Sequence, residues 1–254
     1  MTQRPSFPAR LDPSALRASV VSPRTAPATA RPPPVHPASG FAAARRSMVR
    51  KLQADGLSDA AVVAALEVVE RHRFVDSALH GQAYEDTSLP IGLGQTISKP
   101  CVVARMMELL RSGRADKLGR VLDIGTGCGY QAAVLGQLAR EVYTIERLRA
   151  LHERARENLR ELRLANVHLL FGDGMQGFAK GAPYDGIVSA AGGESVPTAW
   201  TDQLALGGRL VAPTVRAGGA LVEQVLVVVE RTRSGLRHTV YEAVNFVPLK
   251  SGVA

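Results

Sequence analysis

The sequence predicts an α/β protein with a doubly wound, mainly parallel seven-stranded sheet, preceded by N-terminal helices and a disordered tail. Two observations support this fold class. From residue 121 onward, short and almost continuously apolar runs alternate with segments of helical period, a pattern typical of parallel strands covered on both faces. The last two runs, within 221–249, are joined by a turn at Ser234-Gly235 that leaves no room for a crossover helix. We therefore expect the sheet to end in an antiparallel hairpin.

Residues 1–42 are predicted to be the disordered tail. Nine of the 15 prolines lie before residue 48, where missing amide donors and few apolar side chains cannot support a packed core. The same stretch holds seven arginines against the single Asp12, so +6 of the net charge of +8 lies there and +2 remains for the rest. This distribution argues against a nucleic-acid-binding surface on the folded part.

Two helices and a loop are predicted next. The helices cover 43–56 and 57–74, with Ser58 as the N-cap of the second and Asp59 complementing its dipole. Residues 86–100 contain several glycine and proline breaks, so we expect a structured loop rather than a regular element.

A third helix, 101–113, leads into the core. Core strands are predicted at 120–125, 141–146, 167–174, 184–191 and 207–213, with helices at 129–139, 147–164 and 197–205 between them. The domain is thus expected to comprise 43–118, with the helices and loop, and 119–254, with the sheet.

A glycine-rich loop, VLDIGTGCGY at 121–130, joins the first core strand to its helix. Gly125, Gly127 and Gly129 place backbone amides and a helix N-terminus at the carboxyl end of a parallel strand, where such sheets bind ligands. A dinucleotide fingerprint, G-x-G-x-x-G, does not match, because Tyr130 follows the third glycine directly. A hydride-transfer enzyme is therefore the weaker alternative.

The loop instead resembles the acid-x-G-x-G-x-G loop of class I S-adenosylmethionine-dependent methyltransferases. This cofactor has no phosphates; it carries a cationic sulfonium and free ribose hydroxyls, which suit close backbone approach and carboxylates. Glu146 and Asp173 end the next two strands, where the resemblance implies contacts to the ribose and the adenine. The implied cofactor-binding residues are Asp123, Gly125, Thr126, Gly127, Gly129, Glu146, Arg147, Gly172, Asp173 and Gly174.

The segment LPIGLGQTISKP indicates which group accepts the methyl. Together with HRFV, LFGDG, YDGIVSAA and EAVNFVPL, it resembles the protein-L-isoaspartate O-methyltransferase family from about residue 48 to the end. The resemblance implies a Rossmann-like core, Ser98 as the catalytic residue, and Gln95, Thr96 and Ile97 in the substrate loop. It also implies methyl transfer to the α-carboxylate of L-isoaspartyl residues in damaged proteins, followed by succinimide formation and recovery of aspartate. From the residues alone, Ser98 could also cap the next helix, and one residue can have both roles.

One segment departs from the family pattern. Pro213-Thr214-Val215 stands where the family usually has Pro-Val-Gly. This leaves open a related carboxyl methyltransferase for a specific peptide or small molecule. A binding module that uses the basic tail is a further alternative, but the intact acids of the cofactor motif argue against it.

Location and partners follow from what the sequence lacks. No run approaches the roughly 20 apolar residues that span a bilayer. Cys101 and Cys128 lie in different motifs and suggest neither a disulfide framework nor a metal site. We therefore expect a cytoplasmic monomer that binds no metal, membrane or nucleic acid.

Overall fold

A computed structural model describes residues 38–216 and 223–254. Residues 1–37 of the predicted tail lie outside the described residues. The tail boundary at 42 is wrong, because residues 38–42 already belong to the first helix. The helices are α1 (Ala38–Ala54), α2 (Ala60–Val68), α3 (Pro100–Arg111), α4 (Tyr130–Leu138), α5 (Arg149–Leu162) and α6 (Thr198–Asp202).

The strands form two sheets. They are β1 (Leu89–Gly92), β2 (Gln95–Ile97), β3 (Leu118–Ile124), β4 (Ala139–Glu146), β5 (Val167–Phe171), β6 (Tyr184–Ser189), β7 (Leu204–Arg216), β8 (Glu223–Thr232) and β9 (Gly235–Val244). The main sheet has the order β5-β4-β3-β6-β7-β8-β9 and is parallel from β5 through β7. β8 pairs antiparallel with β7 and with β9, which confirms the predicted fold class and C-terminal hairpin.

The strand order places a switch point at β3. The chain runs from β3 to β4 and β5 on one side, and then returns to β6 on the other. Ligands of doubly wound sheets bind outside the carboxyl ends of strands at such a point. The fold therefore positions the glycine loop, which follows β3, at the expected binding edge.

Strand β3, in the middle of the parallel part of the sheet, is buried on both faces. Val121 packs in one hydrophobic cluster, whereas Leu122 and Ile124 pack in the other, and none is more than 1% exposed. Because successive side chains of a strand point to opposite faces, the continuous apolar run supplies both clusters.

The cap of α2 differs from the prediction. Asp59, not Ser58, is the N-cap, and its carboxylate accepts hydrogen bonds from the Ala61 and Val62 amides. The Ser58 hydroxyl instead donates to Glu108 at 2.9 Å. The helix also ends at Val68 rather than 74, and a 3₁₀ turn covers 71–74.

Residues 89–97 form a β-hairpin where the sequence predicted a loop. β1 and β2 pair antiparallel. Gly92 at the end of β1, and Leu93 and Gly94 in the turn, all have positive φ (95°, 52° and 68°). The two glycines allow a tight left-handed turn, so residues that break longer elements here connect two short strands.

Within the described residues, no helix is long and apolar enough to cross a membrane. The same part of the chain contains no group of three potential metal ligands.

Candidate active site

A cavity of about 370 Å³ lies at the carboxyl ends of β3 and β4. Its walls come from the glycine loop, the β1–β2 hairpin and the C-terminal segment 247–250. The predicted site residues that line it are Gln95, Thr96, Ile97, Ser98, Gly125, Thr126, Gly127, Glu146, Arg147 and Gly174. The fold thus brings the predicted substrate loop and much of the predicted cofactor set into one cavity, although Gln95 and Gly174 lie 79 positions apart in the sequence.

The glycine loop needs glycine for its backbone conformation. Gly125, Gly127 and Gly129 have φ values of 86°, 57° and 94°, which strain any residue with a Cβ. A Cβ on Gly127 would also lie 3.2 Å from the Ile91 Cδ1 atom of β1. A Cβ on Gly129 would lie 3.1 Å from the Leu159 Cγ atom of α5. The loop can therefore pack closely against both neighbours only with glycine at these positions.

Glu146 connects the end of β4 to the glycine loop. Its Oε2 accepts a hydrogen bond from the Gly127 amide at 2.8 Å, and its Oε1 accepts one from the Leu148 amide at 2.9 Å. Glu146 is only 4% exposed, yet it lines the cavity. Since each carboxylate oxygen can accept a second hydrogen bond, Glu146 keeps capacity for ligand hydroxyls.

Asp123 lies behind the loop and does not line the cavity. It is fully buried, and it accepts hydrogen bonds from Gln131 Nε2 at 2.8 Å and Thr144 Oγ1 at 2.7 Å. Burial raises the pKa of Asp123 to about 6, against the opposing effect of these two donors. Its carboxylate joins β3, β4 and α4 beneath the glycine loop, so its contact is with the protein scaffold.

Asp173 also bonds to the protein itself. Its Oδ1 accepts from the Met175 amide at 2.9 Å, and its Oδ2 accepts from the Gly252 amide at 2.7 Å. The carbonyl of Gly252 in turn accepts a 2.7 Å hydrogen bond from Arg147 Nε. Gly252, near the C-terminus, is therefore hydrogen-bonded to two predicted cofactor residues. Asp173, like Gly129 and Gly172, does not line the cavity.

Ser98 follows β2 at the cavity wall. It does not cap α3, whose N-cap is Lys99 without a side-chain hydrogen bond and whose first residue is Pro100. The Ser98 carbonyl accepts a 2.7 Å hydrogen bond from Arg71 Nη2. Among the described residues, its hydroxyl has no hydrogen-bond partner, so it can bond a ligand in the cavity.

Several lining residues were not predicted as site residues. Tyr130 and Gln131 of α4 contribute, as do Ile91, Leu93 and the segment 247–250. Tyr130 was noted only for breaking the dinucleotide pattern, and EAVNFVPL only as part of the resemblance. No local pattern marks such residues, because their position depends on packing across the sheet edge.

The family is decided by a match over most of the chain. The sequence profile of protein-L-isoaspartate(D-aspartate) O-methyltransferase matches residues 43–254. The chain belongs to this family. It is a methyltransferase that uses S-adenosylmethionine and acts in the repair of isoaspartyl proteins, as the sequence resemblance implied.

Individual relatives agree with this family. The chain is 60% identical over 212 residues to a protein-L-isoaspartate O-methyltransferase of Methylibium petroleiphilum, covering 82% of this chain and 77% of the relative. It is 53% identical over 253 residues to one of Ralstonia nicotianae, covering 94% and 77%.

Solved structures show the same fold. A protein-L-isoaspartate O-methyltransferase is similar with a TM-score of 0.73 and 28% identity, over 82% of this chain and 67% of that one. A Plasmodium falciparum structure in complex with S-adenosyl-L-homocysteine, titled a putative member of the family, has a TM-score of 0.68 and 24% identity, over 81% and 98%.

The residues at the cavity suit S-adenosylmethionine. The positive-φ glycines let a ligand approach the backbone closely, and the carboxylate of Glu146 can accept hydrogen bonds from ribose hydroxyls. Apolar side chains, among them Ile145, Leu148 and Leu151, line the same region and suit an adenine ring.

The segment that departs from the family pattern lies within β7. The Pro213 carbonyl accepts a hydrogen bond from the Gly193 amide at 3.2 Å, and the Val215 amide donates to the Gly193 carbonyl at 3.0 Å. None of Pro213, Thr214 and Val215 lines the cavity.

Proposed function

We propose that Ser98 orients the α-carboxylate of the isoaspartyl residue while the glycine loop and Glu146 hold the methyl donor. The observation that carries this proposal is that Ser98, with its side-chain hydroxyl, lines the cavity that Gly127 and Glu146 also line. Within the described residues that hydroxyl has no competing hydrogen-bond partner. The hydroxyl can therefore donate a hydrogen bond to an oxygen of the acceptor carboxylate, next to the bound methyl donor.

The donor side is assigned residue by residue. Glu146 would accept hydrogen bonds from the ribose hydroxyls, and the backbone from Gly125 to Gly127 would lie against the amino-acid end. Arg147 and Gly174 complete this wall, whereas Asp123 supports the loop from behind. Bound S-adenosylmethionine supplies a methyl group on a positively charged sulfur.

No general base is needed on the acceptor side. A carboxyl group has an ordinary pKa near ~4, so the acceptor is already ionised at neutral pH. The described cavity lining contains no histidine, in keeping with this chemistry. The chain's contribution is placement of the carboxylate in line with the methyl group, and removal of water from it by Ile91, Ile97 and Val103.

The repair steps that follow require no residue of this chain. The methyl ester carbon is more electrophilic than the carboxylate carbon, and its methoxy group can leave. The next backbone nitrogen of the substrate therefore attacks the ester carbon. Methanol leaves and a succinimide forms. Water then opens the ring to aspartate or isoaspartate, and repeated cycles deplete the isoaspartyl linkage.

The assay for this function uses labelled S-adenosylmethionine and two peptides that differ only in an aspartyl or isoaspartyl linkage. We expect methyl incorporation into the isoaspartyl peptide and little into the other. Equal labelling of both, or of neither, would contradict the proposal.

Ser98→Ala tests the acceptor assignment. We expect a lower kcat with an unchanged dissociation constant for the donor in calorimetry, because the hydroxyl contacts the acceptor. The control is Ser234→Ala, whose hydroxyl bonds Thr232 in the β8–β9 turn, outside the cavity. A large loss of donor affinity in Ser98→Ala would assign that hydroxyl to the donor instead.

We also propose that residues 38–254 act as a monomeric catalytic domain in the cytoplasm, without nucleic acid. The support is the charge distribution: +6 of the net charge of +8 lies before residue 48, so the rest of the chain carries only +2 and lacks the excess of cations that nucleic acid requires. Sedimentation velocity at assay concentration checks the oligomeric state, and a dimer that dissociates with loss of activity would contradict it.

A further inference from the structure

Arg71 is a buried cation beside the active site. It is 0% exposed and begins the 3₁₀ turn Arg71–Phe74. Within the described residues its hydrogen-bond acceptors are all backbone carbonyls. Burial lowers the pKa of Arg71, but an arginine pKa is high enough that the side chain keeps its charge. A buried cation without a carboxylate partner is costly to the fold, so its position calls for an explanation.

Its three acceptors lie on both sides of the β1–β2 hairpin. Arg71 Nε donates to the Ala83 carbonyl at 2.9 Å, and Nη2 donates to the Thr87 carbonyl at 3.4 Å. Both residues precede β1. The third acceptor, at 2.7 Å from Nη2, is the carbonyl of Ser98, directly after β2. One planar guanidinium therefore joins the start of the hairpin to its end.

The same side chain contacts the donor side of the cavity. Its Cζ atom lies 4.9 Å from the centre of the Tyr130 ring, and Tyr130 lines the cavity at the start of α4. Arg71 Nη1 is buried and has no hydrogen-bond partner among the described residues. Arg71 thus contacts both the Ser98 backbone and Tyr130, the last residue of the glycine-rich loop and the first of α4.

We propose that Arg71 is a positioning residue for methyl transfer, which holds Ser98 at a fixed place relative to the glycine loop. This inference rests on the proposed function, because it requires that Ser98 orients the acceptor carboxylate. Its three carbonyl bonds fix the backbone on which the Ser98 hydroxyl is carried. Its contact with Tyr130 fixes the position of that backbone relative to the residues that bind the methyl donor.

The chemistry favours a cation in this position rather than at the carboxylate. Methyl transfer from a sulfonium to a carboxylate neutralises both charges, so a cation bonded to the carboxylate would stabilise the reactants more than the transition state. Two of the carbonyls that Arg71 bonds, those of Ala83 and Thr87, belong to residues outside the cavity lining, and the third is the backbone carbonyl of Ser98. The acceptor then meets a neutral hydroxyl in a rigid position.

The experiment compares Arg71→Lys and Arg71→Gln with Arg111→Lys. Arg111 is a matched control because it is also a buried arginine, at 3% exposure, but it pairs with Asp59 and lies outside the cavity lining. Donor-binding sites are counted by calorimetry, and kcat is expressed per site, so that unfolded protein does not lower the value. The acceptor is the isoaspartyl peptide.

We expect both Arg71 variants to lower kcat about 10- to 100-fold, the effect of a misplaced reacting group. Lysine offers one nitrogen in place of the Nε and Nη2 atoms that bond the three carbonyls, and burial favours its neutral form. The donor dissociation constant and the peptide KM should stay within about 3-fold of wild type, and Arg111→Lys should keep its kcat within about 2-fold. An unchanged kcat per site in both Arg71 variants, or an equal loss in Arg111→Lys, would overturn the inference.

A double-mutant cycle separates this inference from the proposed function. If Arg71 acts through Ser98, then Arg71→Lys lowers kcat only slightly in a Ser98→Ala background. The same fold-loss in both backgrounds, with Ser98→Ala itself impaired, would overturn the role of Arg71 alone. A wild-type kcat for Ser98→Ala would instead contradict the proposed function.

Discussion

The buried carboxyl of Asp123 predicts an unusual dependence of stability on pH. Asp123 is 0% exposed, and burial raises its pKa from an ordinary value of 3.8 to about 6. Asp123→Asn removes the titrating group with little change in shape. The asparagine oxygen can accept from Gln131, and Thr144 can accept from the new amide while donating to Thr126, 2.6 Å away.

The raised pKa sets the sign and size of the effect. Below about pH 4 the folded and unfolded chains both hold the proton. Between about pH 4 and 6 only the folded chain holds it, so rising pH favours the unfolded chain. Above about pH 6 both chains have lost the proton, and the free-energy cost of burying the ionised carboxylate is constant. A shift of about 2 pKa units at ~1.4 kcal/mol each gives a cost of about 3 kcal/mol, of which about 2 kcal/mol develops between pH 4.5 and 7.

Urea unfolding at a series of pH values measures this effect. The only tryptophan, Trp200, is 1% exposed, so its fluorescence reports loss of the core. We expect the free energy of unfolding of wild type, relative to Asp123→Asn, to fall by about 2 kcal/mol from pH 4.5 to 7. Asp202→Asn, at an exposed residue of α6, should follow wild type. A difference between wild type and Asp123→Asn that stays constant across this range would refute the reasoning.

Two further predictions concern donor binding and the N-terminal helix. Glu146→Gln should raise the donor dissociation constant about 10- to 100-fold in calorimetry, because it removes a charged acceptor worth about 1.5–3 kcal/mol. Glu141→Gln, on the same strand but outside the cavity, should not, and an unchanged constant in Glu146→Gln would count against its assignment. Deleting residues 1–37 should leave the melting temperature and activity unchanged. Deleting 1–42 also removes Phe41, whose ring stacks on a histidine at 4.1 Å, and should cost about 0.5–1.5 kcal/mol. Equal melting temperatures of the two truncated chains would contradict this.

Local patterns were sufficient for most of the sheet. The apolar runs of β3, β6 and β8 predicted strands because a strand buried on both faces must be largely apolar. β9 is almost entirely exposed, and the turn at Ser234-Gly235 predicted it instead. The loop at Gly125, Gly127 and Gly129 was predictable because three left-handed residues in one turn require glycine.

Local patterns gave the wrong prediction where two neighbouring residues suited the same role, or where an element was too short to show a pattern. Ser58 and Asp59 are both good N-cap residues, and the choice depends on Glu108 of α3, which bonds the Ser58 hydroxyl. The β1–β2 hairpin was missed because its strands are four and three residues long, too short for an alternating pattern.

The sequence by itself determined the fold class, the family and the residues of the glycine loop, because these depend on periodicity and on motifs of adjacent residues. Only the tertiary structure decided that Asp123 lies behind the loop, that Asp173 bonds Gly252, and that Arg71 bonds the Ser98 carbonyl. These contacts join residues from 8 to 79 positions apart in the chain. Which donor a buried carboxylate meets, and which acceptor a buried guanidinium meets, is set by how helices and strands pack, and no spacing in the sequence records it.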